Sequence, residues 1–241
     1  MTLTVRRVPM LSDNYAWLLK DEASGTAGFV DPADEAAASA AVEAAGGRLD
    51  FVLLTHHHDD HTAGAAALAR RFGAKIAGNG ADRLRLPKLD VELAEGDDFA
   101  LGNAHARIIG TPGHTVGHIA YAFEAERALF CGDTLFSLGC GRLFEGTPAQ
   151  MFESLRKLAA LDPETEIHCG HEYTKSNARF ALSVDPDNAA LRERAAEVER
   201  LRAEGKPTIP AKLSSELACN PFLRARDAEE LGRLRRAKDN F

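Results

Sequence analysis

The densest chemistry in the chain lies in Thr55-His56-His57-His58-Asp59-Asp60-His61. Its H-x-H-x-D-H core offers His56, His58, Asp60 and His61, imidazoles and a carboxylate that suit zinc, iron or manganese. Spacing divides these donors. Side chains two apart at the extended end of a strand share a face, so His56 and His58 can grip one ion together. Asp60 and the adjacent His61 cannot readily join them, and a turn here aims this pair at a neighbouring position. One short stretch therefore predicts two metals. A solvated, histidine-rich turn is the alternative, but a packed domain seldom gathers so many donors without use.

Three further donors follow a repeated design. His105-Ala106-Arg107-Ile108-Ile109 leads into Gly110-Thr111-Pro112-Gly113-His114, Ala128-Leu129-Phe130-Cys131 into Gly132-Asp133, and Glu166-Ile167-His168-Cys169 into Gly170-His171. With Phe51-Val52-Leu53-Leu54 before His56, four strand-like runs each release a candidate ligand at or just beyond a C-terminal end. That edge is where α/β folds place ligand sites. Glycine before His114, Asp133 and His171 suits a tight turn that brings backbone close to a metal.

Two coordination sets result: His56, His58 and His114 for one ion, Asp60, His61 and His171 for the other, with Asp133 bridging. Two ions about 3.5–4 Å apart lower the pKa of a shared water towards about 7. The bridging hydroxide, held through Asp60 and Asp133, would attack a polarised carbonyl, so hydrolysis needs no serine or cysteine nucleophile. His57 is read as structural or exposed, His105 and His168 as packing residues. His118 is at most a support behind the ligands. Cys131, Cys140, Cys169 and Cys219 form no C-x-x-C pair and read as buried thiols, although Cys131 and Cys169 lie two residues before ligands and are not excluded by geometry.

The positioning elements are mixed α/β. Short β-type runs at 3–8, 15–20 and 27–30 precede a helix capped near Asp34 and ended at Gly46-Gly47; another helix is expected from about Thr62 to Phe72. Residues 84–89 read as a loop around Pro87. Thr147, Pro148 and Gln150 form a capping-box start for a helix whose Met151, Phe152, Leu155 and Leu158 face the core. After His171 the strands stop, and helices are expected at 173–183, 189–204, around 214–218 and at 228–236. The expected boundary separates an α/β metal domain, 1–172, from a helical one, 173–241.

The chain of 241 residues is long enough for a sizeable core, and 45% hydrophobic with 27% charged residues is ordinary globular composition. Its net charge of -7 argues against a nucleic-acid partner but allows a small anionic substrate at a local basic patch. No run reaches the roughly 20 apolar residues of a membrane span, and the strand-like N-terminus lacks signal-peptide features. A cytoplasmic monomer with no membrane partner is expected.

The donor pattern resembles the metallo-β-lactamase superfamily, and the likeness extends to hydroxyacylglutathione hydrolases, the glyoxalase II family. Similar stretches are Leu11-Ser12-Asp13-Asn14-Tyr15, Thr111-Pro112-Gly113-His114-Thr115, Gly139-Cys140-Gly141-Arg142, Gly170-His171-Glu172-Tyr173-Thr174, Asn220-Pro221-Phe222 and Arg235-Arg236-Ala237-Lys238-Asp239. The resemblance implies a four-layer αββα sandwich with a small helical C-terminal domain that helps bind glutathione. It implies hydrolysis of S-(2-hydroxyacyl)glutathione thioesters, chiefly S-D-lactoylglutathione, with two divalent ions per chain: zinc first, iron or manganese as alternatives. Tyr173, Arg235 and Lys238 match the family's glutathione-binding positions. Arg142 stands where the family often has lysine, and Phe144 where it often has tyrosine, which removes a hydroxyl contact. Competing readings are an iron persulfide dioxygenase of the same superfamily, a lactamase or RNA-processing nuclease, and a non-catalytic metal- or glutathione-binding module.

Overall fold

The computed structural model describes residues 3–241, so Met1 and Thr2 of the alternating N-terminal segment lie outside the described residues. The first half of the chain builds one six-stranded sheet from β1 (Leu3–Met10), β2 (Asn14–Asp21), β3 (Ala27–Val30), β4 (Phe51–Leu53), β5 (Lys75–Asn79) and β6 (Val91–Leu93), in that spatial order. β1, β2 and β3 pair antiparallel; β3 through β6 run parallel. Parallel neighbours need crossovers. Here α1 (Glu35–Ala44) links β3 to β4, and α2 (Asp59–Thr62) with α3 (Ala65–Phe72) links β4 to β5.

The second sheet contains β7 (Asp98–Leu101), β8 (Ala104–Gly110), β9 (Ile119–Phe123) and β10 (Ala128–Gly132). A small hairpin follows, β11 (Leu135–Phe136) with β12 (Gly139–Cys140), and then α4 (Pro148–Ala159). Next, β13 (Glu166–Cys169) enters the sheet parallel to β10. The helices α5 (Thr174–Val184) and α6 (Ala189–Ala203) come next, then β14 (Ala211–Lys212), α7 (Leu213–Cys219) and α8 (Ala228–Asp239). The sheet order is β14-β13-β10-β9-β8-β7. Because β9 is antiparallel to both β8 and β10, the strands β8, β10 and β13 all end at the same edge.

Alternation along β2 defines the layers. Trp17 and Leu19 join Leu53, Leu101, Ile108, Tyr121 and Phe130 in the core between the sheets. Ala16 and Leu18 face the other way, with Phe29 and Val52, onto Ala38 and Val42 of α1 and Leu68 of α3. A strand buried on both faces has no polar side, which is why its residues read as a nearly continuous apolar run. Across the sandwich, the Tyr121 hydroxyl donates to the Leu54 carbonyl at 3.0 Å. On the far side, Met151, Leu155 and Leu158 bury the apolar stripe of α4, whose capping box is formed by Thr147 and Gln150.

The helix expected from Thr62 starts earlier and is broken. Asp59–Thr62 forms one turn, and a new helix begins at Ala65. Gly64 donates its backbone N–H to the Pro32 carbonyl at 2.9 Å instead of continuing the ladder. Two further elements escaped the sequence reading, β11–β12 and the two-residue β14, all too short for a periodic signal. The C-terminal helices pack Leu138, Ala178, Ala181, Leu191, Ala195 and Cys219 into a separate small core.

Candidate metal centre and cleft

The donor groups meet where the strands end. His56 Nε2 and His114 Nε2 lie 3.2 and 3.0 Å from His58 Nδ1, so three imidazole nitrogens face one point. Next to them, His171 Nε2 lies 3.4 Å from Asp60 Oδ2, and His61 Nε2 lies 3.8 Å from the same oxygen. Asp133 stands between the groups, with Oδ1 3.3 Å from His61, and Oδ2 3.4 Å from His171 and 3.6 Å from His114. The structure thus brings together all seven donors singled out by spacing. The local cause of their division is α2: Asp60 and His61 occupy a helical turn, whereas His56 and His58 precede it in extended backbone.

Glycine makes the convergence fit. A Cβ on Gly170 would lie 2.6 Å from both Asp133 Oδ1 and His61 Cε1, and one on Gly132, at φ +43°, would lie 2.4 Å from Thr55 Oγ1. A side chain at Gly170 would displace donors, and one at Gly132 the Thr55 and His118 side chains behind them.

Four of the five rings are oriented from behind. The outer Nδ1 atoms of His56, His61 and His171 lie 3.0, 3.1 and 2.9 Å from Thr55 Oγ1, Asp31 Oδ2 and Asp13 Oδ1, while His114 Nδ1 donates to the Arg142 carbonyl at 2.8 Å. Occupying the outer nitrogen leaves the inner Nε2 of all four rings available as a donor. Asn14 supports the second group by donating to Asp60 Oδ2 at 3.1 Å. His118, stacked on His56 at 4.8 Å, accepts the Asp133 backbone N–H at 3.1 Å and so fixes the root of that carboxylate.

The residues fit a divalent cation centre. Among the described residues, His61 Nε2 and Asp133 Oδ1 are buried and face each other at 3.3 Å without a well-formed hydrogen bond, an expensive arrangement unless something else satisfies them. Three nearby triads can each present three ligand atoms: His56–His58–His114, Asp60–His61–His171 and Asp31–His56–His61. The last is better read as support, because Asp31 already accepts from the Thr55 N–H and hydroxyl at 2.9 and 2.6 Å and faces His61 Nδ1.

Electrostatics separates the two groups. Burial, reinforced by neighbouring imidazoles, holds His56 well below the ordinary histidine range; burial also lowers His58 and His114. Burial opposes protonation of His61 and His171 as well, but Asp133 outweighs it, raising His61 well above its ordinary value and His171 to about 10. The Asp60 carboxyl is held down, first by its hydrogen bond with His171.

A cleft of about 470 Å³ opens from His114 and Asp133, with Phe144, Tyr173 and Lys238 among its walls. Tyr173 stacks on His171 with ring centroids 4.5 Å apart, and Phe144 meets His114 and His58 edge-on at 5.3 and 5.7 Å. Arg235, buried, donates to the Cys140 carbonyl at 2.7 Å and pairs with Asp239 at 2.9 Å. Arg142, more exposed, reaches the same Asp239 oxygen at 3.3 Å. Lys238 donates to Ser176 Oγ at 2.9 Å. All five sequence-expected cleft residues, Arg142, Phe144, Tyr173, Arg235 and Lys238, line this one space.

Spacing alone missed the orienting groups Asp13, Asn14 and Asp31. The first two lie in the stretch noted for family resemblance; Asp31 had no local signal. His57 is neither loose nor a member of the donor group, for its Nδ1 lies 3.1 Å from buried Asp82. Cys131 and Cys169 are not donors either. Their sulfurs point to the carbonyls of Leu135 and His171, at 3.2 and 3.6 Å, and Gly132 breaks the alternation that would have aligned Cys131 with Asp133.

The fold and donor cluster define the metallo-β-lactamase class: the family model for the metallo-beta-lactamase superfamily matches residues 17–171. Solved structures agree on the fold. ETHE1 from Myxococcus xanthus superposes with TM-score 0.72 at 23% identity, covering 97% of this chain and 90% of that one. TTHA1623 in a di-iron-bound form gives TM-score 0.59 at 28% identity, over 68% of this chain and 90% of that one. A second model, hydroxyacylglutathione hydrolase C-terminus, matches residues 172–241. A hydroxyacylglutathione hydrolase of Acidiphilium cryptum is 68% identical over 99% of this chain and 97% of its own, and one of Methylococcus capsulatus 52% over 96% and 91%. The chain belongs to the hydroxyacylglutathione hydrolase family.

Proposed function

We propose that the protein hydrolyses S-(2-hydroxyacyl)glutathione, chiefly S-D-lactoylglutathione, to glutathione and D-lactate, and so serves methylglyoxal detoxification. One observation carries this reading beyond family membership: the donor cluster and a cation-walled cleft share the residues His114 and Asp133, so an anionic thioester can reach the donors. His56, His58 and His114 would hold one divalent ion and Asp60, His61 and His171 the other, with Asp133 common to both. Bound ions supply Lewis acidity to the thioester carbonyl and acidify water. The chain itself keeps Asp60 ionised, turns four imidazoles inward and excludes solvent from behind the cluster.

Arg142, Arg235 and Lys238 attract the substrate carboxylates on a protein of net charge -7. Tyr173 and Phe144 flank the path to the donors. We assign residues 1–172 to catalysis and 173–241 to holding the glutathione moiety. Five imidazoles and two carboxylates suit zinc, with iron or manganese as alternatives; the di-iron form of TTHA1623 makes iron a concrete second candidate. Four free, buried cysteines suit a reducing compartment, in line with a cytoplasmic location. Among the described residues, no helix is long and apolar enough to cross a membrane.

The test is hydrolysis of S-D-lactoylglutathione alongside metal analysis of the same sample. Thioester cleavage with two ions per chain is expected. One iron with oxygen uptake and no cleavage would overturn the proposal in favour of an oxygenase.

A further inference from the structure

Glu216, in α7, is fully buried, yet the proposed chemistry makes no use of it. A buried carboxylate is costly unless hydrogen bonds surround it. Burial pushes its carboxyl above the ordinary range, against the pull of the donors around it. Those donors converge on one feature. Oε1 accepts the Ser137 hydroxyl at 2.7 Å, and Oε2 accepts the Leu138 backbone N–H at 2.7 Å and the Asn220 amide at 3.1 Å. Ser137 and Leu138 form the two-residue turn of the β11–β12 hairpin. Leu138 has φ +58°, a left-handed conformation that a non-glycine residue keeps only where its surroundings impose it.

Other side chains from residues 173–241 hold the rest of the turn. Asn220 Nδ2 donates to the Phe136 and Gly139 carbonyls at 3.1 and 3.0 Å, and Asn177 Nδ2 donates to the Ser137 carbonyl at 3.1 Å. The hairpin so fixed shapes the cleft. Phe136 lines it and meets Tyr173 edge-on at 5.3 Å, while the Cys140 carbonyl accepts Arg235 Nη1 at 2.7 Å. A second hold on Arg235 has the same source: its guanidinium lies 5.3 Å from the Phe222 ring, and the Phe222 N–H donates to Asn220 Oδ1 at 3.0 Å. Neither Glu216 nor Asn220 lines the cleft.

We propose that Glu216 is a positioning residue for glutathione binding: through Asn220 and the β11–β12 turn it fixes Phe136 and the Cys140 carbonyl, and with them Tyr173 and Arg235. This rests on the thioesterase reading for its ligand. The metal centre should be spared, because His171, the donor that Phe136 meets, is held from behind by Asp13.

The experiment measures glutathione affinity by calorimetry, KM and kcat for S-D-lactoylglutathione, and metal content in the wild type, E216L, E216Q and S137A. Leucine fills similar space but leaves three donors unmet, and a hydrogen bond to a charged group is worth about ten-fold or more in an equilibrium. E216L should therefore weaken glutathione binding and raise KM about ten-fold, with kcat changed far less and metal retained. S137A removes one of the bonds and should act in the same direction to a smaller degree, which keeps the test open if E216L does not fold. E216Q keeps an acceptor for Leu138 and Asn220 and can donate to Ser137, so it should retain most of the affinity. Unchanged affinity in E216L, or in S137A where E216L does not fold, would overturn the proposal. So would metal loss in step with lost affinity, or an E216Q as weak as E216L.

A second readout needs neither ligand nor turnover. Cys140 is buried at the end of the hairpin, and Cys169 is buried in β13. In E216L, iodoacetamide should alkylate Cys140 about ten-fold faster while Cys169 stays protected, with S137A again showing a smaller rise. No acceleration, or equal acceleration at both thiols, would overturn the positioning role, the latter because it reports general loss of stability. If the wild type neither binds glutathione nor cleaves the thioester, the functional reading fails while alkylation still decides whether Glu216 holds the hairpin.

Discussion

The donor cluster and the cleft beside it solve opposite problems. In the cluster, His56, His61, His114, His171 and Asp133 are all buried, and each ring is fixed by a partner on its outer nitrogen. In the cleft, Arg142 and Lys238 are partly open to solvent and hold provisional partners, Asp239 and Ser176, that an incoming carboxylate could replace. The cluster is rigid because its charges have nowhere else to go. The cleft remains exchangeable because water and spare polar groups surround it. Changes in the first should affect metal and chemistry; changes in the second should affect substrate capture.

The strongest way to break this contrast is at Asp133, whose two oxygens lie 3.3–3.6 Å from His61, His171 and His114 and so stand between the donor groups. Asp133→Ala should lower turnover by more than about 10³-fold, through lost metal-dependent stabilisation, and metal analysis should show lost occupancy. Full occupancy at wild-type rate would mean that another group joins the two halves. Next comes Asp31→Asn, which leaves every proposed ligand in place but weakens the grip on His61 and Thr55. Such support residues are worth about 10–100-fold in metal affinity or activity. A competition titration with a chelating dye would measure it, and unaltered affinity would make Asp31 merely structural.

On the cleft side, Lys238→Ala should raise KM about ten-fold and change kcat much less, because its ammonium binds substrate away from the reacting carbonyl. A fall in kcat with constant KM would erase the distinction between the two regions. The smallest effect on activity at neutral pH concerns the scaffold beneath both. His168 stacks on Phe130 at 4.8 Å, its ring nitrogens have no hydrogen-bond partner among the described residues, and burial holds it down at about 3, against about 6.5 unfolded. The unfolded chain therefore binds the extra proton. This contribution to stability is intact above about pH 6.5 and is lost as pH falls toward 3, at up to about 1.4 kcal/mol per pH unit. His168→Phe should flatten the fall of the urea midpoint between about pH 6 and 4, and an unaltered slope would assign the acid sensitivity to other groups.

Legibility from sequence follows the same contrast. The seven donors could be found because metal ligation demands particular residue types, and because strand ends recur before them, three of the four followed by glycine. The α4 start was equally plain: Thr147, Pro148 and Gln150 satisfy their own local backbone. Asp31 was not legible, since its partners Thr55 and His61 are adjacent only after β3 and β4 pair. Nor was the break at Gly64, whose N–H donates to the Pro32 carbonyl rather than along the helix. The cleft cations are ordinary surface residues to local reasoning. Their common purpose emerged only from family resemblance, and their common location from the fold.

The two residues of β14 carry a consequence for how the chain emerges from the ribosome. Ala211 and Lys212 pair with Ile167 and Glu166 and close the outer edge of the second sheet. Until they have been synthesised, β13 presents an unpaired edge just ahead of His171, and such edges invite association with other chains. At about 5–20 residues per second, the vulnerable interval lasts seconds. Stalled translation across the α6 coding region should therefore expose a nascent chain whose sheet is nearly complete but whose β13 edge is unprotected.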